Sequence, residues 1–260
     1  MPRTSRLRIA VVASVALLAA CGSDSGVAPD AAPDLTLEHV FNQMTVPSIS
    51  ALSSLGGAVN VPPGRVGGVP TGCSFAAASQ SFDCPPVTNN GLTATQSYIL
   101  LNASGGSLSQ FDASAVAAVR VRASVVGTHT INGSTFTLQS QHDRTLSGLQ
   151  TNTHTLNGTM ITTGQRVGAG TTGGPQFHTS DSSTTVTKLV LPAAGSATSY
   201  PKSGTITSHM RVTYETTPAL DLGFVMLFDG SSKVRVTSSR DGVIVSICTI
   251  DLASKAPICA

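Results

Sequence analysis

Six histidines, His39, His129, His142, His154, His178 and His209, are the side chains of this 260-residue chain best suited to holding a metal ion, because neutral imidazole is a common ligand. Their spacing argues against a shared site. In the hairpin register derived below, His129 and His142 fall about 20 Å apart along the strands, and a turn near Thr151-Asn152 carries His154 further from both. Nucleophilic catalysis finds no Gly-x-Ser-x-Gly elbow and no Ser-x-x-Lys beside a helix. Asp143, Asp181, Glu215 and Asp229 stand singly, whereas a glycosidase places two carboxylates about 5 to 10 Å apart across a cleft. The glycine-rich run Gly168-Ala169-Gly170-Thr171-Thr172-Gly173-Gly174 lies between two β segments, so it does not open a helix as a phosphate loop must. Asn102-Ala103-Ser104, Asn132-Gly133-Ser134 and Asn157-Gly158-Thr159 match a glycosylation pattern but read as turn residues. The residue types point to no catalytic centre, no metal and no cofactor.

The strongest signal is at the start of the chain. Arg3, Arg6 and Arg8 precede an almost wholly apolar run over 9–18, and Leu18-Ala19-Ala20-Cys21 closes it with small residues. That order is a secretory signal, and the run is about half the ~20 residues a membrane-spanning helix needs. Leu18-Ala19-Ala20-Cys21 resembles the lipobox of bacterial lipoproteins. The resemblance implies that Cys21 carries lipid on its sulfur and becomes the mature N-terminus, with the membrane as its first partner. Residue 22 is glycine and not aspartate, which by the enterobacterial sorting rule favours the outer membrane.

With Cys21 assigned to the anchor, Cys73, Cys84, Cys248 and Cys259 remain. An even number in an exported chain predicts two disulfides. Three pairings are open; the local one joins 73 to 84 and 248 to 259, each over 11 residues. A four-cysteine zinc site is disfavoured, because such sites space their paired ligands two to four residues apart.

Removal of residues 1–20 changes the charge balance. The 15 basic residues fall to 12 with the loss of three arginines, against 13 acidic ones, so the mature chain offers no clustered basic face for nucleic acid. No tryptophan, few aromatics and abundant Ser, Thr, Gly and Val predict an exported all-β protein. The expected organisation is a signal peptide over 1–20, a flexible tether over 21–34 and one β-rich domain over 35–260.

Within that domain Leu37, Val40, Phe41 and Met44 fall at helical spacing, which predicts a short helix from Asp34 to before Pro47. A further helical turn is expected over 48–55. From about Cys73 the pattern is β. Residues 119–131 alternate apolar and polar, Asn132-Gly133 supplies a two-residue turn and 134–149 return. Opposed residues then sum to 265, which pairs Val119 with Leu146, Arg122 with Asp143 and His129 with Phe136. One face holds Val119, Val121, Ala123, Val125, Phe136, Leu138 and Leu146; the other holds Arg120, Arg122, Thr135, Thr137, Gln139 and Asp143. Further strands are expected over 153–163, 183–191, 205–215, 224–228, 233–238 and 243–252, with turns at Asp229-Gly230 and Asp241-Gly242. The predicted architecture is a large twisted or curved antiparallel meander with the short N-terminal helix packed on it.

Function is legible only in outline. The leading expectation is a non-catalytic lipoprotein of the cell envelope that binds a partner or serves a structural role. It is similar in style to the β-rich lipoproteins of environmental Gram-negative bacteria. The alternative is a periplasmic carrier of a lipid or other apolar ligand, with Val121, Phe136 and Leu138 as the ligand face; its sheet and helix resemble the half-open barrels of the lipoprotein carriers. The third class, an envelope hydrolase, would need converging carboxylates or histidines in a cleft.

Overall fold

The computed structural model describes residue 69 and residues 72–131, 134–169, 175–192, 200–214, 218–252 and 257–259. Cys21, the tether and the expected helices over 34–55 lie outside the described residues. All the described residues belong to one unit that spans 62–260.

Alternation of apolar and polar residues, broken by Gly, Pro, Asn and Asp, produces strands and no helix among the described residues. They are β1 (Ser74–Ala76), β2 (Ser81–Asp83), β3 (Val87–Asn89), β4 (Leu92–Leu101), β5 (Ser107–Leu108), β6 (Ala118–Ile131) and β7 (Ser134–Ser147). The second half supplies β8 (His154–Ala169), β9 (Pro175–Leu191), β10 (Ser203–Tyr214), β11 (Leu220–Phe228), β12 (Lys233–Arg240), β13 (Val243–Asp251) and β14 (Pro257–Cys259). All belong to one antiparallel sheet, ordered β1-β2-β4-β6 and then in sequence to β14, with β3 and β5 each pairing only β4. The sheet is open: β1 and β14 are its two edges.

The β6–β7 register is the expected one, with Val119 opposite Leu146, Arg122 opposite Asp143 and His129 opposite Phe136. The turn at Asp241-Gly242 takes both residues to positive φ, 51° and 78°, the geometry that a two-residue hairpin needs to match strand twist.

Followed across the strands, the register separates two faces. A row on the apolar face runs Val121, Arg144, Gly158, Val186, Ile206, Met226, Val236 and Cys248. Over β10 to β13 this face is the core: Ile206, Leu222, Phe224, Met226, Val234, Val236 and Cys248 are at most 2 % exposed, each large side chain contributing about 1.5–3 kcal/mol by leaving water. Over β6 to β8 it is only half-buried at Val121, Val125, Leu138 and Met160. The opposite face mixes hydroxyls and charges with exposed Val126, Ile161 and Val167, and on it Thr128 and Thr137 lie at 3.2 Å and Thr130 and Thr135 at 3.3 Å. There Asp143 accepts from Arg120 Nε at 2.6 Å and faces Arg122 Nε at 3.5 Å. The expected partner Arg122 is therefore the more distant of the two. The Arg120 hydrogen bond holds the Asp143 carboxyl below its ordinary range. Because these side chains are more than a third exposed, Asp143→Asn is expected to cost less than about 1 kcal/mol in a denaturant titration; a loss above about 2 kcal/mol would show that the cluster is energetically buried.

Both edges are stapled. Cys73 and Cys84 flank β1 and β2, and Cys248 and Cys259 are directly opposed in β13 and β14; each disulfide joins Cα atoms 4.0 Å apart over a separation of 11. Each edge strand is only three residues long, which limits the unpaired backbone available to another chain.

Candidate anion site on the apolar face

Strand β7 carries the departure from the apolar pattern. Its face toward the core reads Phe136, Leu138, Ser140, His142, Arg144, Leu146, so three polar residues interrupt the stripe. Register places Arg144 between Val121 of β6 and Gly158 of β8, with Tyr98 one strand beyond Val121.

The Arg144 stem lies against β8. A Cβ on Gly158 would come within 2.8 Å of Arg144 Cγ and 2.5 Å of the Asp143 carbonyl oxygen, so glycine leaves the space through which the stem passes. Burial lowers the Arg144 pKa, yet a guanidinium keeps its charge in proteins. Among the described residues no carboxylate pairs with it, in contrast to Arg120, Arg122 and Arg240. A half-buried cation with no counter-charge is costly, and an anion placed against it recovers the lost interaction.

His142 is the next residue on this face. Its Nε2 lies 3.0 Å from Ser140 Oγ, and Ser140 Oγ lies 2.8 Å from Thr162 Oγ1. Burial first, and the Arg144 charge second, push the His142 pKa down to about 4. The imidazole is neutral at physiological pH and adds no second positive charge. Tyr98 is likewise held in its neutral form, its pKa raised by burial. The polar band continues through Thr184 and Ser208, 2.9 Å apart on β9 and β10. The arrangement is one cation among neutral hydroxyl, imidazole and phenol groups, suited to recognising a single negative charge.

The expected ligand-face residues are distributed unequally. Val121, Phe136 and Leu138 share the apolar face, but only Val121 adjoins Arg144. The Phe136 ring is covered by the Arg166 guanidinium, 5.3 Å from its centroid, a cation–π pair that occupies one side of the ring. Leu138 stands between Gly127 and Gly164. Arg144 itself is absent from the sequence-derived face, although the same arithmetic places it opposite Val121, since 265 − 144 = 121.

His129, His154 and His209 stand in separate surroundings. His129 Nδ1 lies 2.8 Å from the Asn90 carbonyl oxygen, His154 is buried with no partner at Nε2, and His209 Nε2 lies 2.6 Å from Asp221 Oδ1. Among the described residues no three His, Cys, Asp or Glu side chains converge as a metal site would require. His209 and Asp221 line an open groove on the polar face with Arg211, Ser239 and Asp241. Ser239 stands across Gly223 from His209, and among the described residues its hydroxyl makes no hydrogen bond to the imidazole. Comparison with protein-family models, with curated proteins and with solved structures finds no match to this chain.

Proposed function

We propose that this chain is a bacterial envelope lipoprotein, tethered to the outer membrane through lipidated Cys21, whose β domain acts by binding and not by catalysis. The observation that carries the reading is the pair of cross-strand disulfides at the two edges of the sheet, since such bonds persist in oxidising compartments outside the cytoplasm. The basic, apolar and small-residue order that ends at Cys21 supports the anchor. Arg144, a cation with no carboxylate partner among the described residues on a half-buried apolar face, supports a binding role. The carrier reading draws support from the half-open stretch at Val121, Val125, Leu138 and Met160.

Radiolabelled palmitate supplied to cells expressing the full chain is expected to label the protein, and Cys21→Ser to abolish the label and leave unprocessed precursor. Equal labelling of the variant, or recovery of unlabelled wild type in the soluble fraction, would rule the anchor out.

A further inference from the structure

We propose that the half-buried apolar face of β4 to β8 binds a single-chain amphiphile whose anionic head pairs with Arg144 and whose alkyl chain lies along Val121, Ala123, Val125, Leu138 and Met160. The inference deepens the binding role proposed above and names the ligand class.

Charge selects the head. Arg144 has no carboxylate partner among the described residues, and its stem passes over Gly158, where glycine leaves room for it. Planar, forked N–H donors match a carboxylate in bidentate geometry. Its neighbours on the face, Val121, His142, Leu146 and Gly158, bring no negative charge to compete with the ligand.

Surface selects the tail. On β10 to β13 the same face is closed, with core side chains at most 2 % exposed, whereas Val121, Ala123, Val125, Leu138 and Met160 stay half-exposed. From Arg144 to Leu138 is six residues of β7, about 20 Å at strand rise, a length that takes an extended long alkyl chain. Methionine at 160 adds an adaptable wall for a chain without fixed shape. Ser140 and Thr162, which would meet the chain midway, satisfy each other at 2.8 Å, so an apolar ligand leaves neither hydroxyl without a partner.

The test uses residues 22–260 exported behind a cleavable signal, so that neither attached lipid nor signal segment competes, and calorimetric titration with palmitate, hexadecanol and acetate. Palmitate is expected to bind, hexadecanol to bind more weakly, and acetate not to bind measurably. Arg144→Met is expected to weaken palmitate by about tenfold or more and to leave hexadecanol unchanged, while Arg144→Lys, which keeps the charge and loses the fork, retains only part of the palmitate affinity. A melting curve for each variant separates loss of the site from loss of the fold, and Leu138→Glu, about 20 Å from Arg144 along β7, is expected to weaken palmitate and hexadecanol alike. Palmitate binding unchanged in Arg144→Met, no palmitate binding by the parent chain, or acetate binding as tightly as palmitate would each overturn the inference. Retained palmitate labelling at Cys21 alongside any of these outcomes would show that the anchored lipoprotein stands and only the ligand class has failed.

Discussion

Removing both edge disulfides, by Cys73→Ser, Cys84→Ser, Cys248→Ala and Cys259→Ser, lowers the unfolding free energy by about 3 kcal/mol for each closed loop in the chain-entropy account. The two loops are separate in sequence, each spanning 11 residues, so the losses add. For a domain of this size the sum corresponds to a fall in Tm of roughly 15 °C. Alanine is chosen at 248 because Cys248 is 1 % exposed, and an apolar replacement brings no new polar group into the core there. The check is thermal and denaturant unfolding of the quadruple variant beside oxidised and fully reduced parent chain. A change below about 1 kcal/mol would show that the edges are held by backbone pairing alone.

Acid sensitivity set by one imidazole is the second large effect. His142 has its pKa lowered from 6.5 to about 4, so the folded state binds fewer protons than the unfolded one between those values. Stability supplied by the neutral ring is therefore complete above about pH 6.5 and is lost progressively as pH falls toward 4. The loss comes to about 2 to 3 kcal/mol, the lower figure allowing for the part of the ring that meets solvent. His142→Gln, which retains a hydrogen-bonding group toward Ser140 without a titration, is expected to flatten the stability profile over that window. Asp112, Asp143 and Asp229 have depressed pKa values; what they contribute is present above their ordinary value near 3.8 and is lost only below it. The two limbs separate on the pH axis. Identical profiles for parent and His142→Gln between pH 4 and 6.5 would refute the assignment.

The parts of the fold legible in the sequence are those governed by short-range rules. Asn132-Gly133 fixed the β6–β7 register to the residue, because a two-residue loop leaves one pairing, and the opposition of Arg122 and Asp143 supported it. The later strands followed from alternation and from Asp-Gly turns. Strands β8 and β9 run further than expected, to Ala169 and from Pro175, because threonine and glycine there weaken the alternation while long partners carry the pairing forward. Strands β1 to β3 and β5 span two or three residues each, too few for any period to register. β2, β3 and β5 are placed by pairing with β4, and β1 by pairing with β2 and by the first disulfide.

The site was hidden for a related reason. A hydrophobic stripe is found by its apolar members, so Phe136, Leu138 and Leu146 were collected while Ser140, His142 and Arg144 between them were passed over. Strict period two assigns all six to one face, and an arginine at such a position is the informative exception. Gly158 gave no signal of its own, since its meaning depends on Arg144 lying across it in the neighbouring strand.

From β6 onward every strand pairs with its neighbour in sequence. The sheet is thus a succession of hairpins whose loops close over short spans of chain, which keeps the entropic barrier to each addition low. A polypeptide that emerges N-terminus first can lay down strand upon strand, and at each stage the newest strand is a temporary edge able to template the next or to capture a stray segment. That exposure ends only when β14 arrives. Three residues of β14 and the bond from Cys259 to Cys248 cover the β13 edge, so slow oxidation at this cystine would lengthen the interval in which that edge is open to aggregation.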